Sequence, residues 1–169
     1  MERKVFLIRH AKSSWANAFE KDFDRSLNDR GFHDAPLMGK VLKQQGIFPD
    51  AILASAAKRT TQTATLIAEG LHFETKNIQF TQQLYHASAA TIADIITCLN
   101  DEWKSVFIVT HNPGITDFVN QLSNKFLIAN MPTCGIVGAS FHADHWYDFV
   151  NQSKDVFLFE FPKKYYDSK

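Results

Sequence analysis

Apolar residues fall along this chain in short bursts, and the spacing between them switches between strand and helix periods. Val5-Phe6-Leu7-Ile8 is a continuous β-branched and aromatic run, as expected of a strand covered on both faces. Val106 to Val109 is equally clear, Ala51 to Ala54 is weaker, and Ile78-Gln79-Phe80 is short. Ile136 to Phe141 and Val156 to Phe161 come last, and the turn-rich stretch between them predicts an antiparallel pair. Helical segments lie between the strands. Asn28 caps one running toward Lys43 and ended by Gly46, and Pro36 inside it predicts a kink or a restart. A second begins near Ala56 and ends at Gly70, read as its C′ residue. Ser88 caps a third, through Asn100, and Asn112-Pro113 reads as N-cap and N1 of a fourth toward Leu122. Four alternations of strand and helix predict an α/β fold with a mostly parallel sheet. In such sheets ligands bind at the carboxyl ends of the strands.

Those ends carry the candidate chemistry. Arg9-His10-Ala11-Lys12-Ser13-Ser14 follows the first strand. Ser55 to Thr63, with Arg59, follows the second, and Thr110-His111-Asn112-Pro113-Gly114 follows the fourth. Two His and two Arg thus converge on one sheet edge. The chain has only five Arg against thirteen Lys, and Arg25 and Arg30 also follow the first strand. Arg grips phosphate or carboxylate through a planar fork that Lys lacks. The pattern predicts an oxyanion pocket in which a neutral imidazole attacks phosphorus and fixed cations stabilise the transition state. No metal or cofactor is called for. His142-Ala143-Asp144-His145 lacks the partners of a metal site, and no phosphate-cradling Gly loop is present. His33, His72 and His86 have no partners by spacing, although His86 is placed to rim the pocket, and Trp15 and Phe19 either line it or pack.

Eighteen basic and eighteen acidic side chains cancel, which argues against a general nucleic-acid binder. Cys98 and Cys134 form neither a metal spacing nor a disulfide framework, so a reducing cytoplasm is the expected setting. The run at Val5–Ile8 is shorter than a signal-peptide core of roughly 7–15 residues, and nothing approaches the ~18 apolar residues of a membrane helix. The expectation is one domain over residues 1–162 that starts directly with folded structure. Residues 163–169 are expected to form a fraying, expendable tail.

The same residues resemble the histidine phosphatase superfamily, the fold of phosphoglycerate mutase, and within it the small SixA-type branch of phosphohistidine phosphatases. The likeness rests on Leu7 to Trp15, Asp24 to Gly31, Pro49-Asp50, Ser55 to Thr63, Leu84 to Ser88, Val109 to Gly114 and Pro132-Thr133. It implies a three-layer α/β/α sandwich with a largely parallel six-stranded sheet. It also implies His10 as the phosphorylated nucleophile, Arg9 and Arg59 as phosphate-binding arginines, and His111 as the second pocket histidine. Ser14 and Asn112 are further candidates for substrate contact. The chain departs from the pattern at Ala11, where glycine is usual. It also departs at Gln82-Gln83, a place to look for an acid, where an amide cannot move a proton. Asp24 is the remaining candidate for general acid.

The expected partner is a phosphorylated protein or a small phosphorylated metabolite, with no nucleic acid and no membrane, acted on by a monomer. The alternatives are a non-catalytic phosphate-binding module, a small-molecule phosphomonoesterase, and a mutase. A mutase is disfavoured because the chain is too short for a lid that would shield the intermediate from water.

Overall fold

The apolar bursts become six strands of one sheet in the computed structural model, which describes residues 1–166: β1 (Glu2–Arg9), β2 (Ala51–Ser55), β3 (Gln79–Thr81), β4 (Ser105–Thr110), β5 (Ile136–His142) and β6 (Asp155–Glu160). Their order is β3-β2-β4-β1-β5-β6. Pairs β3–β2, β2–β4 and β4–β1 are parallel, whereas β5 runs antiparallel to both β1 and β6. Only β5 is reversed, so the sheet is mostly parallel, as the alternation of elements predicts. The predicted β5–β6 pair forms.

Successive side chains of a strand point to opposite faces, and this period of two builds two cores. Phe6, Ile8, Ile52, Phe107 and Val109 pack on one face with α1 (Asp29–Gln44) and α2 (Lys58–Gly70). Val5, Leu7, Leu53, Val106 and Ile108 pack on the other with α3 (Ala89–Thr97) and α4 (Gly114–Val119). The result is three layers, α/β/α. Among the described residues no helix is long and apolar enough to cross a membrane.

Asn28 and Ser88 cap α1 and α3 as predicted: Asn28 Oδ1 accepts from the Gly31 N–H at 3.0 Å, and Ser88 Oγ from the Thr91 N–H at 3.2 Å. Four local expectations give way to tertiary packing. The helix α1 runs unbroken through Pro36. Gly70 is the last helical residue of α2, not its C′. The left-handed residue is His72 (φ 58), and Gly70 packs closely on α1, where an added Cβ would lie 3.3 Å from the Gly39 α-carbon. The third helix stops at Thr97 rather than Asn100. Asn112 does not cap α4. The Asn112–Pro113 bond is cis, Pro113 takes the cap position, and the Asn112 side chain accepts from the Thr116 hydroxyl at 2.6 Å.

The expected fraying from Lys163 does not hold through Tyr166. Residues Pro162–Tyr165 form a 3-10 turn, and the Tyr166 hydroxyl donates to the fully buried Asp34 carboxylate at 2.7 Å. The remainder of that predicted tail, 167–169, lies outside the described residues.

Candidate active site

The parallel register sets Arg9 beside Thr110, so the residues that follow β1 and β4 emerge side by side. The backbone of His10 is held at both ends. Its N–H donates to the Thr110 carbonyl at 3.2 Å, and its carbonyl accepts from Cys134 at 3.0 Å. Its Nδ1 lies 2.7 Å from the Ala11 carbonyl, which can only accept. Nδ1 therefore carries the proton, and Nε2 keeps its lone pair. Burial pulls the His10 pKa down. The Ala11 bond opposes this, but Arg59, Arg9 and Arg25 add to the fall, which ends at about 3. The ring is neutral at pH 7, as a nucleophile must be. Ala11 N–H donates to Thr63 Oγ1 at 3.0 Å, and that hydroxyl donates to the Arg59 carbonyl at 2.7 Å. The loop of His10 is thereby tied to the helix that carries Arg59.

Around His10 stand groups with unused donors. Arg9 gives Nη1 to the Met131 carbonyl at 2.7 Å, and Arg59 gives Nη1 to the Asp22 carbonyl at 2.7 Å. His111 Nε2 lies 2.7 Å from Ser55 Oγ, which accepts from the Ala57 N–H at 3.3 Å. The Ser55 hydroxyl proton has no other acceptor among the described residues, so the hydroxyl donates to Nε2, which leaves the proton of His111 on Nδ1. Burial, then His10, Arg59 and His86, push His111 down to about 2, so it too is neutral. Among the described residues, the buried side-chain polar atoms without a partner are Arg9 Nε, Arg59 Nε and His111 Nδ1. All three residues line one cavity of about 230 Å³ with His10. A buried donor left unpaired costs about 1–3 kcal/mol. Three around one small space mark a site for a ligand with acceptors on several sides. Larger clefts of about 690 and 770 Å³ hold none of the three.

The rim differs from expectation at two residues. Asp24 is exposed and does not line the cavity; Asp22 does. The 3-10 turn Asp22–Asp24 aims Asp22 inward. Its Oδ2 accepts from Tyr85 Oη at 2.6 Å and Arg59 Nη2 at 3.1 Å, and Oδ1 accepts from Arg25 Nε at 3.1 Å. His86 Nε2 stands 3.5 Å from Oδ2. Burial would raise the Asp22 pKa, but the Tyr85 hydroxyl and the two guanidiniums prevail and hold it well below the usual carboxylate range. Ser14 is likewise displaced by its neighbour. Ser13 lines the cavity and accepts from Arg25 Nη1 at 2.7 Å, whereas Ser14 Oγ accepts from the Ala16 N–H outside it.

Asn112 lines the cavity, with Nδ2 donating to Asn130 Oδ1 at 2.5 Å. Arg25, Tyr85 and Asp22 were not among the predicted site residues; only the basic charge near Asp24-Arg25 signalled them. Arg30 turns away toward Asp34 and Tyr166. Trp15 lines the mouth, while Phe19 is 99% exposed and does not. His145 pairs with Asp101, and no metal-holding cluster occurs among the described residues. The loop of His86 (φ 53) and the loop of His111 touch backbone to backbone. A Cβ on Gly114 would lie 1.8 Å from the Ala87 carbonyl.

Comparison with known proteins gives a consistent picture. Residues 5–85 match the model of the histidine phosphatase superfamily (branch 1). An uncharacterised protein of Mycobacterium leprae is 29% identical, covering 92% of this chain and all of its own. A phosphoglycerate mutase of Saccharomyces cerevisiae is 34% identical over 68 residues, 39% of this chain and 28% of that one. Among solved structures, a SixA protein of Agrobacterium tumefaciens, provisionally named a phosphohistidine phosphatase, superposes with a TM-score of 0.80 at 28% identity, over 95% of this chain and 99% of that one. A protein histidine phosphatase SixA bound to tungstate shares the fold, with a TM-score of 0.81 at 20% identity over 95% and 98% of the two chains.

Proposed function

The chain belongs to the histidine phosphatase superfamily, and we propose that within it this protein is a metal-independent phosphatase working through a covalent phosphohistidine on His10. The observation that carries the proposal is the convergence of three unpartnered buried donors around a neutral imidazole. In the first step the Nε2 lone pair bonds to phosphorus while the bond from phosphorus to the leaving atom breaks. Arg9, Arg59 and the His111 Nδ1–H meet the equatorial oxygens. In the second step water attacks phosphorus and the P–Nε2 bond breaks. Inorganic phosphate departs, and Nε2 recovers its electron pair.

Two features favour phosphohistidine on a protein as substrate. The cavity of about 230 Å³ is smaller than the roughly 300–1,000 Å³ of sites that enclose whole small ligands, so it takes the phosphoryl group and leaves the carrier outside. Asp22, held ionised, is an acceptor suited to orienting water but a poor proton donor to a leaving group. A phosphoimidazole protonated on its other ring nitrogen leaves as neutral imidazole, whose conjugate acid has a pKa of about 6.5. It needs no proton from the protein, whereas an alkoxide needs a donor.

The test is a phosphorylation trap. Wild-type protein mixed with acetyl phosphate should carry acid-labile phosphate on His10. His10→Asn should carry none yet still bind tungstate. Undiminished turnover by His10→Asn would remove His10 from the nucleophile role, and wild-type binding of tungstate without any labelling would leave only a phosphate-binding module.

A further inference from the structure

Trp15 is an exposed aromatic ring at the mouth of the anion cavity, 74% accessible, yet its plane is fixed. The Arg25 guanidinium carbon sits 3.5 Å from its ring centroid, a close cation–π contact. Arg25 is itself buried and held on three sides, by Asp22 Oδ1 at 3.1 Å, Ser13 Oγ at 2.7 Å and the Ser14 carbonyl at 3.4 Å. An indole left to solvent normally has no such anchoring, and its apolar face gains nothing from it within this chain. The other exposed ring at the mouth, His86, joins the same carboxylate through Oδ2 and lies on the Tyr85 ring at 4.0 Å between centroids. Both rings at the mouth are thus linked to Asp22, Trp15 through Arg25 on Oδ1 and His86 through Oδ2.

We propose that Trp15 is a specificity-determining residue, a preorganised stacking platform that selects phosphoryl donors whose leaving group is a planar ring. Resting on the phosphatase reading, the proposal deepens it: the phosphoryl group occupies the cavity floor, and the first atoms outside the cavity are those of the leaving group. An imidazole or phenyl ring there lies within reach of the indole, whereas an acyl or short alkyl group presents no face to it. Because Arg25 holds the indole in advance, little side-chain freedom is lost when the substrate ring arrives.

The test separates ring recognition from turnover by using phosphonates, which cannot be hydrolysed. Wild-type protein should bind phenylphosphonate more tightly than methylphosphonate in calorimetry. In Trp15→Ala the ratio of the two dissociation constants should fall about three- to tenfold, the range expected for one aromatic pair. Trp15→Phe, which keeps a ring, should restore most of the ratio and guards against a misfolded alanine variant. The same order should hold for kcat/KM with phosphohistidine against acetyl phosphate. A phenyl-to-methyl ratio that is the same in wild type and Trp15→Ala overturns the platform. Failure of the wild type to hydrolyse any donor overturns the phosphatase reading alone, since the phosphonate ratios are read without turnover.

Discussion

The floor and the rim of the pocket are built in different ways. Floor residues hang from the sheet and the helix beside it: His10 after β1, His111 after β4, Arg59 in the first turn of α2. Main-chain bonds fix His10, and Thr63 ties its loop to Arg59. Rim residues belong to two loops and are fixed by one another, with Asp22 as the common acceptor for Tyr85, Arg59 and Arg25. The floor is therefore a set of charges and donors whose members are held separately, His10 by Thr110 and Cys134, Arg9 by Met131 and His111 by Ser55. The rim is a network with one centre, in which a change at Asp22 reaches every member.

Arg59 gives the largest expected effect, because it belongs to both halves. Arg59→Lys keeps the charge but loses both the fork on Asp22 and the Nε donor, so kcat/KM should fall about 10²–10³-fold. Steady-state assays with acetyl phosphate check this, and a wild-type rate would show that the floor needs only a point charge. Next comes the centre of the rim. Asp22→Asn should cost about tenfold on good and poor leaving groups alike, because an ionised Asp22 acts by orienting water and by holding Arg59, Arg25 and Tyr85, whereas Asp24→Asn should change neither. A plot of log(kcat/KM) against leaving-group pKa for the three proteins separates these outcomes. A steeper slope for Asp22→Asn than for wild type would show that Asp22 gives a proton to the leaving group after all.

The smallest effect concerns stability and isolates the floor. His10 and His111 have folded pKa values near 3 and 2, far below the unfolded value of about 6.5. The unfolded chain thus takes up protons that the folded chain refuses. Stability from this source is complete above about pH 6.5 and is lost as pH falls. Between pH 7 and 5.5 the two together should cost about 2–3 kcal/mol. In urea titrations His111→Asn should lose roughly half of that acid sensitivity; an unchanged pH slope would mean that His111 is not held neutral in the fold.

The floor was legible in the sequence because its residues directly follow apolar runs, and a strand end needs no knowledge of loops to be located. Arg9, His10, Arg59 and His111 all meet at the cavity for this reason. The rim was not legible, since which of two nearby side chains faces inward depends on a single turn. Ser13 rather than Ser14, and Asp22 rather than Asp24, are decided by the Ser13–Leu27 bridge and the 3-10 turn at Asp22. Among the elements, the errors share a cause. Gly70 looks like a helix terminator until Gly39 is seen against it, and Asn112 looks like a cap until Thr116 takes its side chain.

Gly114 joins the two halves in a way that bears on how such a chain can vary by mutation. Every replacement of a glycine adds at least one carbon, and here that carbon has no room beside the Ala87 carbonyl. No mild substitution exists at this position. The segment that presents His86 and the segment that presents His111 must then diverge together or not at all. The loop of Trp15 has a seam of its own, since a Cβ on Gly31 would lie 2.2 Å from the Lys12 carbonyl. Trp15 itself, however, is 74% exposed, so its side chain can be exchanged by single steps while both seams stay as they are.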